Sequence, residues 1–302
     1  MNQIKLYFWE LFYLKFTAHL AELASGSQYL LRGLRKINLP EKFKSRIVAH
    51  LGDTFDSVKP FIAEVDSVKF EIDLNDDVQR GIYFNAFEKK ELQLIKKIIP
   101  ENAVCLDVGA NIGFYTLNIS KFRPKSTIHT FEPDPAVYAK LQRNCQINSV
   151  DNRVIHHPIA LSDQISQQQF YRSDEAHYGC GSLSFQPQYS AETIEIETCT
   201  LDHFLDEHAI DQVDFIKIDI EGHELQMLKG AKKTLENKKV KYILVEFNGE
   251  KLKANGDTLE SFLSFFESVQ YAPTLFNLKL LEKLKAGKIN PERICTNFLF
   301  TY

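Results

Sequence analysis

Three things that the 302-residue sequence lacks narrow its class before any motif is considered. It has only five cysteines, an odd number with no CxxC pair, which disfavours a disulfide framework and predicts reduced thiols. It has no excess of positive charge, because 36 lysines and arginines face 40 aspartates and glutamates, and this balance disfavours nucleic acid as a partner. With 44% hydrophobic residues, the chain can bury a full core, so we expect a globular protein.

A long apolar run is also missing, although the N-terminus is rich in aromatic and aliphatic side chains. Four polar residues interrupt it: Lys5, Glu10, Lys15 and His19. No segment there reaches the about 20 uninterrupted apolar residues that span a membrane, and no cleavage pattern of a signal peptide follows. We therefore expect an N-terminal helical extension over residues 1–65 that packs on the main domain, with contact to a membrane surface as the alternative. A cytoplasmic location is the corresponding expectation.

From about residue 103 onward, short apolar strands alternate with helical stretches, which predicts a parallel sheet with crossover helices. The predicted strands are 104–108, 127–131, 154–160, 215–220 and 242–247. The predicted helices are 114–121, 135–148, 224–237 and 258–269. Two further strands, 272–278 and 295–302, joined by a polar loop, would close the sheet as an antiparallel hairpin. The sequence thus predicts one α/β domain of Rossmann-like type over residues 66–302, with a mostly parallel sheet.

A glycine-containing turn, DVGANIG, follows the first predicted strand. Glycine lets a backbone approach a nucleotide where a Cβ atom would clash. The turn differs from the dinucleotide motif GxGxxG, because Gly109 and Gly113 are four residues apart and Asp107 precedes them. A carboxylate here would repel a pyrophosphate but accept a hydrogen bond from a cationic amino-acid cofactor, which favours S-adenosylmethionine over NAD. Glu132, at the end of the second strand, is spaced to accept hydrogen bonds from ribose hydroxyls.

Four segments, in this order, resemble the FkbM family of methyltransferases. They are LDVGANIGFYT (106–116), FEPDP (131–135), ALSD (160–163) and VDFIKIDIEGHELQMLKGA (213–231). The resemblance spans about residues 80–250 and implies a class I methyltransferase sheet. It also implies transfer of a methyl group from S-adenosylmethionine to a hydroxyl of a sugar or of another small natural-product-like acceptor. The identity of that acceptor does not follow from the resemblance.

The resemblance also implies roles for individual residues. The methionine end of the cofactor would be surrounded by Asp107, Gly109, Asn111 and Gly113. Glu132 would bind the ribose, and Asp163 would lie near the adenine. A Ser-Asp pair that leaves a strand is also a common turn, so a purely structural role of Asp163 stays open. Asparagine tolerates left-handed backbone angles, which suits Asn111 to this loop.

The fourth predicted strand ends in the polar run DIEGHE, at the edge of the sheet where ligands collect. We expect His223 to be the general base, since an imidazole has a pKa of about 6.5, near working pH. A capping or surface role is the alternative. Asp219 and Glu221 would orient this histidine, bind substrate hydroxyls, bind the cofactor, or help to hold a divalent cation. Glu246, near the end of the next strand, would converge on the same crevice.

Residues 162–200 form a long polar stretch that interrupts the alternation of strands and helices. Long insertions in compact domains often cover an active site, so part of the substrate pocket is expected here. The apolar alternation over 167–171 and 192–198 equally indicates an added structural hairpin. Two other functions stay open at this point, a scaffold that binds S-adenosylmethionine without catalysis and, less favoured, an NAD-dependent oxidoreductase.

Overall fold

The computed structural model describes residues 58–172, 181–184 and 192–302. These residues belong to two compact units, the first made of residues 58–90 and the second of the described residues from 91 onward. Most of the predicted N-terminal extension lies outside the described residues and stays a prediction.

The first unit begins with a β-hairpin of β1 (Phe61–Val65) and β2 (Val68–Ile72), which pair antiparallel. Helix α1 (Asp77–Tyr83) follows, and the Asp76 side chain caps it by accepting a 2.8 Å hydrogen bond from the Gln79 backbone. Helix α2 (Lys89–Ile98) starts at the end of this unit. The predicted boundary between residues 65 and 66 falls in the turn of the hairpin, so the last five residues of the predicted extension form a strand.

The second unit contains most of α2, ten strands and eight further α-helices among the described residues. Its strands are β3 (Val104–Val108), β4 (Thr127–Phe131), β5 (Val154–His157), β6 (Ala160–Leu161), β7 (Ser166–Tyr171), β8 (Thr193–Cys199), β9 (Val213–Ile218), β10 (Val240–Asn248), β11 (Ala272–Pro273) and β12 (Cys295–Thr301). Its helices are α3 (Phe114–Phe122), α4 (Pro135–Ile147), α5 (Leu201–Glu207), α6 (Glu224–Lys229), α7 (Lys232–Glu236), α8 (Gly249–Ala254), α9 (Leu259–Ser268) and α10 (Leu278–Lys285).

Seven of these strands form one sheet in the order β11-β12-β10-β9-β3-β4-β5. The strands from β10 to β5 are parallel, while β12 runs antiparallel to both β10 and β11. Strands β4 and β5 lie on one side of β3, and the later strands β9 and β10 lie on its other side. This reversal makes a switch point between β3 and β9, where ligands bind in open α/β sheets. The predicted Rossmann-like fold with an antiparallel C-terminal pair is confirmed.

Most predicted core elements are present, and β3 and β4 have the predicted bounds. The prediction of a single strand over 154–160 is wrong, since β5 ends at His157 and Ala160 starts β6 in a different sheet. The predicted helix 224–237 is also divided, into α6 and α7 around Gly230. A Cβ atom on Gly230 would lie 2.0 Å from the Ser162 carbonyl oxygen, so the break occurs where another segment contacts the backbone.

The C-terminal region departs further from the expectation. Of the predicted strand 272–278, only β11 is strand, and the predicted polar loop after it contains helix α10. Leu281 and Leu284 are buried, three residues apart on one helical face, and their packing stabilises α10. Strand β12 is confirmed nearly to its predicted ends.

The predicted hairpin within the long polar insertion is confirmed. Strand β7 pairs antiparallel with β8, and the short β6 adds to β8 in parallel to make a second, three-stranded sheet. The alternative role of the insertion, as a cover for the substrate pocket, depends on residues 173–180 and 185–191 and stays a prediction.

Two further properties concern only the ranges that the structure describes. The cysteines there, Cys105, Cys145, Cys199 and Cys295, are free thiols. No helix in these ranges combines the length and the apolar character needed to cross a bilayer.

The switch point is closed by backbone contacts between the turns that follow β3 and β9. The Asp219 backbone N–H donates a 3.0 Å hydrogen bond to the Val108 carbonyl. Gly109 has a left-handed φ of +78°, and a Cβ atom on it would lie 1.8 Å from the Asp219 carbonyl oxygen. In this structure, packing between the two turns therefore requires glycine at position 109, whereas the sequence suggested close approach of a ligand as the reason.

The two glycines Gly109 and Gly256 provide a matched test of this contact. Gly256 has nearly the same φ, +79°, but nothing lies within 4 Å of its would-be Cβ atom. Gly256→Ala should lower the free energy of unfolding by about 1–2 kcal/mol, the cost of the left-handed angle alone. Gly109→Ala should cost at least about 2 kcal/mol more because the β3 and β9 turns must separate. Urea denaturation measures both, and equal losses would contradict the packing argument.

Candidate active site

The turn after β3 is held by its own buried carboxylate and by the neighbouring strand. Asp107 Oδ2 accepts hydrogen bonds from the Thr116 backbone N–H at 3.0 Å and from the Thr116 hydroxyl at 2.6 Å. The N–H groups of Gly109 and Ala110 both donate to the Phe131 carbonyl at 3.0 Å. Burial raises the pKa of Asp107 to about 6, although the Thr116 bonds and the charge of Lys217 oppose the shift. The predicted cofactor turn is thus rigidly joined to α3 and β4.

Asn111 and Gly113 complete this turn with left-handed backbone angles. Asn111 has φ +49°, in agreement with the expected tolerance of asparagine, and its Oδ1 accepts a 2.7 Å bond from the Ile112 N–H. Gly113 has φ +92° and precedes α3, and its N–H donates to the Ala110 carbonyl at 2.8 Å. A Cβ atom on Gly113 would lie 2.8 Å from the Leu141 side chain, so packing against α4 favours glycine there.

Glu132 connects the turns after β3 and β4 with its two carboxylate oxygens. Its Oε2 accepts a 3.0 Å hydrogen bond from the Asn111 N–H, and its Oε1 accepts a 3.0 Å bond from the Asp134 N–H. The residue is only 5% exposed, and this burial raises the pKa of its carboxyl to about 8. Each carboxylate oxygen has two lone-pair directions, so the backbone bonds leave Glu132 acceptor capacity for a ligand.

His223 lies next to the turn that contains Asp163. Its Nε2 is 2.9 Å from the Ser162 hydroxyl, its Nδ1 is 3.4 Å from the Ser184 hydroxyl, and the Ser162 hydroxyl donates to Asp163 Oδ1 at 3.2 Å. Asp163 itself is exposed. Both ring nitrogens of His223 therefore contact hydroxyl groups of the protein. Burial lowers the pKa of His223 to about 4, which keeps the ring neutral at pH 7.

Asp219 contacts a lysine that the sequence analysis did not select. Lys217 Nζ lies 3.0 Å from Asp219 Oδ2, donates a 2.9 Å bond to Asn297 Oδ1 of β12, and is 5.3 Å from the centre of the Tyr115 ring. The Lys217 side chain is 1% exposed, whereas that of Asp219 is 26% exposed. The sequence did contain a signal for this residue, because a lysine within the apolar strand VDFIKI is expected to be buried and a buried cation needs partners.

Glu246 joins the same group of residues, as its place in the sequence suggested. It pairs in register with Asn297, the partner of Lys217, and its Oε1 accepts a 3.1 Å bond from the Cys295 thiol. Burial, reinforced by the charge of Asp219, raises the pKa of Glu246 well above the usual range of a carboxyl. Acidic and basic groups thus meet at the carboxyl ends of β9 and β10.

The Glu221 turn has its own anchor, Glu224, which the sequence analysis also missed. Glu221 and Gly222 have left-handed φ values of +59° and +99°. The buried Glu224 carboxylate accepts hydrogen bonds from the N–H groups of Ile220 at 3.1 Å and Gly222 at 3.0 Å. Burial raises the pKa of Glu224 to about 7. Glu221 forms an ion pair with Lys251 at the start of α8.

The predicted site residues therefore form three groups. Asp107, Asn111 and Glu132 are joined by the turns after β3 and β4, and Asp163 is joined to His223 through Ser162. Asp219 and Glu221 lie in the turn after β9, each paired with a lysine. Within the described ranges, no three or more His, Cys, Asp or Glu residues are arranged to hold a metal ion.

A comparison with known protein families identifies the chain. The Methyltransferase FkbM domain matches residues 107–273, which are 167 of the 302 residues. The chain belongs to this family. The match begins at Asp107 and includes every predicted site residue. The protein is therefore a methyltransferase, and the oxidoreductase alternative is wrong.

Three curated relatives show how far the similarity extends. Methyltransferase 1 of Beauveria bassiana is 27% identical over 187 residues, which cover 53% of this chain and 74% of the relative. The 2-O-methyltransferase NoeI of Sinorhizobium fredii is 26% identical and covers 60% and 78%, respectively. The hexuronic acid methyltransferase AglP of Haloferax volcanii is 27% identical and covers 63% and 74%. Each match covers most of the relative but leaves over a third of this methyltransferase unmatched.

The low pKa of His223 makes the stability of this methyltransferase depend on pH. Because the unfolded chain binds a proton near pH 6.5 and the folded chain near pH 4, stability should fall as pH drops from 6.5 toward 4. His129 and His157 are shifted in the same direction. His223→Gln should reduce the loss of unfolding free energy between pH 7 and pH 5 by roughly 1–2 kcal/mol.

Chemical denaturation at the two pH values measures this difference. His203→Gln is the matched control, since the His203 side chain is 50% exposed and should leave the pH dependence unchanged. An unchanged loss in His223→Gln would show that burial does not keep this ring neutral.

Proposed function

We propose that this methyltransferase transfers a methyl group from S-adenosylmethionine to a hydroxyl of a sugar or of another small natural-product-like acceptor. The observation that carries the cofactor assignment is the geometry of Glu132. Its carboxylate is buried at the end of β4, is fixed by two backbone N–H groups, and retains acceptor capacity for ribose hydroxyls. The names of two relatives, a 2-O-methyltransferase and a hexuronic acid methyltransferase, support a sugar-like acceptor.

The remaining cofactor contacts follow the turn after β3. Asp107, Gly109, Asn111 and Gly113 would surround the methionine end, and Asp163 would lie near the adenine. The fit is chemically consistent, because Thr116 engages Asp107 Oδ2 and a cationic amino group would use Oδ1. When bound, the cofactor supplies a methyl group attached to a positively charged sulfur. The turn supplies the rigid backbone that would orient this group.

The acceptor would enter at the carboxyl end of β9, beside Asp219 and Glu221. Lys217 fixes one carboxylate oxygen of Asp219, and the residue keeps a 26% exposed side chain that an acceptor hydroxyl can reach. His223 is 8% exposed and both its ring nitrogens contact serine hydroxyls. This geometry favours Asp219 over His223 as the group that binds the hydroxyl and accepts its proton. His223 would then position the turns that contain Asp163 and Glu221.

The first test of this function is cofactor binding. S-adenosylmethionine should raise the melting temperature of the protein, whereas NAD should not. Glu132→Gln should weaken the affinity for S-adenosylmethionine by roughly 1–3 kcal/mol, because the amide cannot accept both ribose hydrogen bonds and both backbone bonds. Titration calorimetry measures the affinity, with Glu236→Gln, an exposed glutamate on α7, as the control. A folded Glu132→Gln variant with wild-type affinity would remove Glu132 from the cofactor site.

The second test separates the two candidate bases. If Asp219 accepts the proton, Asp219→Asn should lower turnover by roughly 100- to 10,000-fold at saturating cofactor, whereas His223→Gln should keep most of it. A methylation assay with sugar acceptors measures turnover, and calorimetry measures cofactor affinity in the same variants. The opposite pattern would make His223 the general base: His223→Gln would lose turnover, and the pH inflection of the wild-type rate would disappear in this variant. Weaker cofactor binding in Asp219→Asn with unchanged saturating turnover would assign Asp219 to the cofactor.

A further inference from the structure

Arg172 links the three-stranded sheet to the turn that contains Glu132. It directly follows β7, and its backbone N–H donates a 3.0 Å bond to the Glu192 carbonyl across the hairpin. Its guanidinium makes two hydrogen bonds to the Asp134 carboxylate, from Nε to Oδ2 at 2.7 Å and from Nη2 to Oδ1 at 3.4 Å. A third bond, from Nη1 to Glu192 Oε1, measures 3.0 Å. Such a planar, two-point contact fixes the direction of the Asp134 carboxylate.

Asp134 in turn contacts Glu132. Its backbone N–H donates to Glu132 Oε1, while its Oδ1 caps α4 by accepting a 2.8 Å bond from the Ala136 N–H. Asp134 is 6% exposed and Glu132 is 5% exposed, so two acidic side chains are buried two residues apart. Two like charges in a poorly hydrated place favour protonation of one of them. Arg172 brings a permanent positive charge to the Asp134 side of this pair.

We propose that Arg172 is a positioning residue for the cofactor: by pairing with Asp134, it favours the ionised form of Glu132 and orients this carboxylate to accept the ribose hydroxyls. This inference rests on the proposed function, since it assumes that Glu132 binds the ribose. Arg172 acts through Asp134 and need not touch the cofactor. Arg172 would also make cofactor binding depend on the hairpin of β7 and β8, because it directly follows β7.

The electrostatic surroundings of Glu132 set the sign of the expected effect. The charges of Asp134 and Asp107 raise its pKa, while the N–H groups of Asn111 and Asp134 lower it, and burial makes the largest contribution. The pKa of about 8 means that the ionised, ligand-accepting form becomes more populated as pH rises through this value. Cofactor affinity should therefore increase with pH up to this point. Removal of Arg172 leaves the Asp134 charge uncompensated, so the midpoint should move to higher pH.

The experiment measures the affinity for S-adenosylhomocysteine, the demethylated cofactor, by calorimetry between pH 6 and pH 9. Arg172→Ala should raise the pH midpoint of binding by roughly half a unit, which weakens the affinity about threefold at pH 7. Asp134→Asn should shift the midpoint in the opposite direction, because it removes a negative charge while asparagine still caps α4. Arg172→Lys keeps the charge and should restore most of the wild-type midpoint.

Two controls make the outcome specific. Glu192→Gln removes the other partner of Arg172, a residue with a 62% exposed side chain, and should leave the midpoint unchanged. The double variant Arg172→Ala/Asp134→Asn should return the midpoint close to the wild-type value, because it removes one positive and one negative charge together. A merely structural role of Arg172 would weaken binding equally at all pH values.

Different experimental results would overturn this inference and the proposed function. Absence of binding by the wild-type protein at every pH would overturn the proposed function. Binding whose midpoint is the same in the wild type, Arg172→Ala and Asp134→Asn would overturn the role of Arg172 alone. If Arg172→Ala does not fold, Arg172→Gln, which removes the charge and keeps a hydrogen-bond donor, should raise the midpoint in its place, and an unchanged midpoint in this variant would overturn the role of Arg172.

Discussion

The candidate site depends on the contact between Gly109 and the Asp219 carbonyl oxygen at the switch point. The 1.8 Å that would separate a Cβ atom from this oxygen leaves room for glycine alone. The contact, with the hydrogen bond from the Asp219 N–H to Val108, brings the turns after β3 and β9 together. The proposed cofactor residues lie on the first turn and the proposed acceptor residues on the second. A larger residue at position 109 would thus separate the two halves of the reaction.

Desolvation is the common cause of the electrostatic properties of this sheet edge. Burial raises the pKa of four carboxyl groups, Asp107, Glu132, Glu224 and Glu246. Backbone N–H groups hold Glu132 and Glu224 in place, and the buried cation Lys217 opposes the shift of Asp107 and Glu246. A positively charged ligand at this edge would reduce the cost of ionising these carboxyls. The charge distribution therefore suits a cationic methyl donor better than a pyrophosphate.

The sequence predicted the parts of the fold that depend on local pattern. Apolar runs bounded by polar turns gave the limits of β3 and β4, and the DVGANIG turn followed from its glycines. One error has a cause that lies far away along the chain: the predicted helix divides at Gly230, where the carbonyl of Ser162 lies against the backbone. The error at α10 is of another kind. Its segment LKLLEKLK consists of strong helix formers with apolar residues at helical spacing, so the local pattern did indicate a helix there, in place of the expected strand end and loop.

The same distinction applies to the proposed base. From its type and position alone, His223 was the natural choice, because imidazole titrates near neutral pH and the residue follows a strand that ends at the site. The structure adds two serines from distant segments, Ser162 and Ser184, which contact both ring nitrogens, and it adds burial, which lowers the pKa of the ring to about 4. A base of that pKa has little driving force to take a proton from an alcohol. Asp219 offers instead a partly exposed carboxylate that Lys217 holds in place. Positioning of the hydroxyl would then contribute more to the rate than the strength of the base.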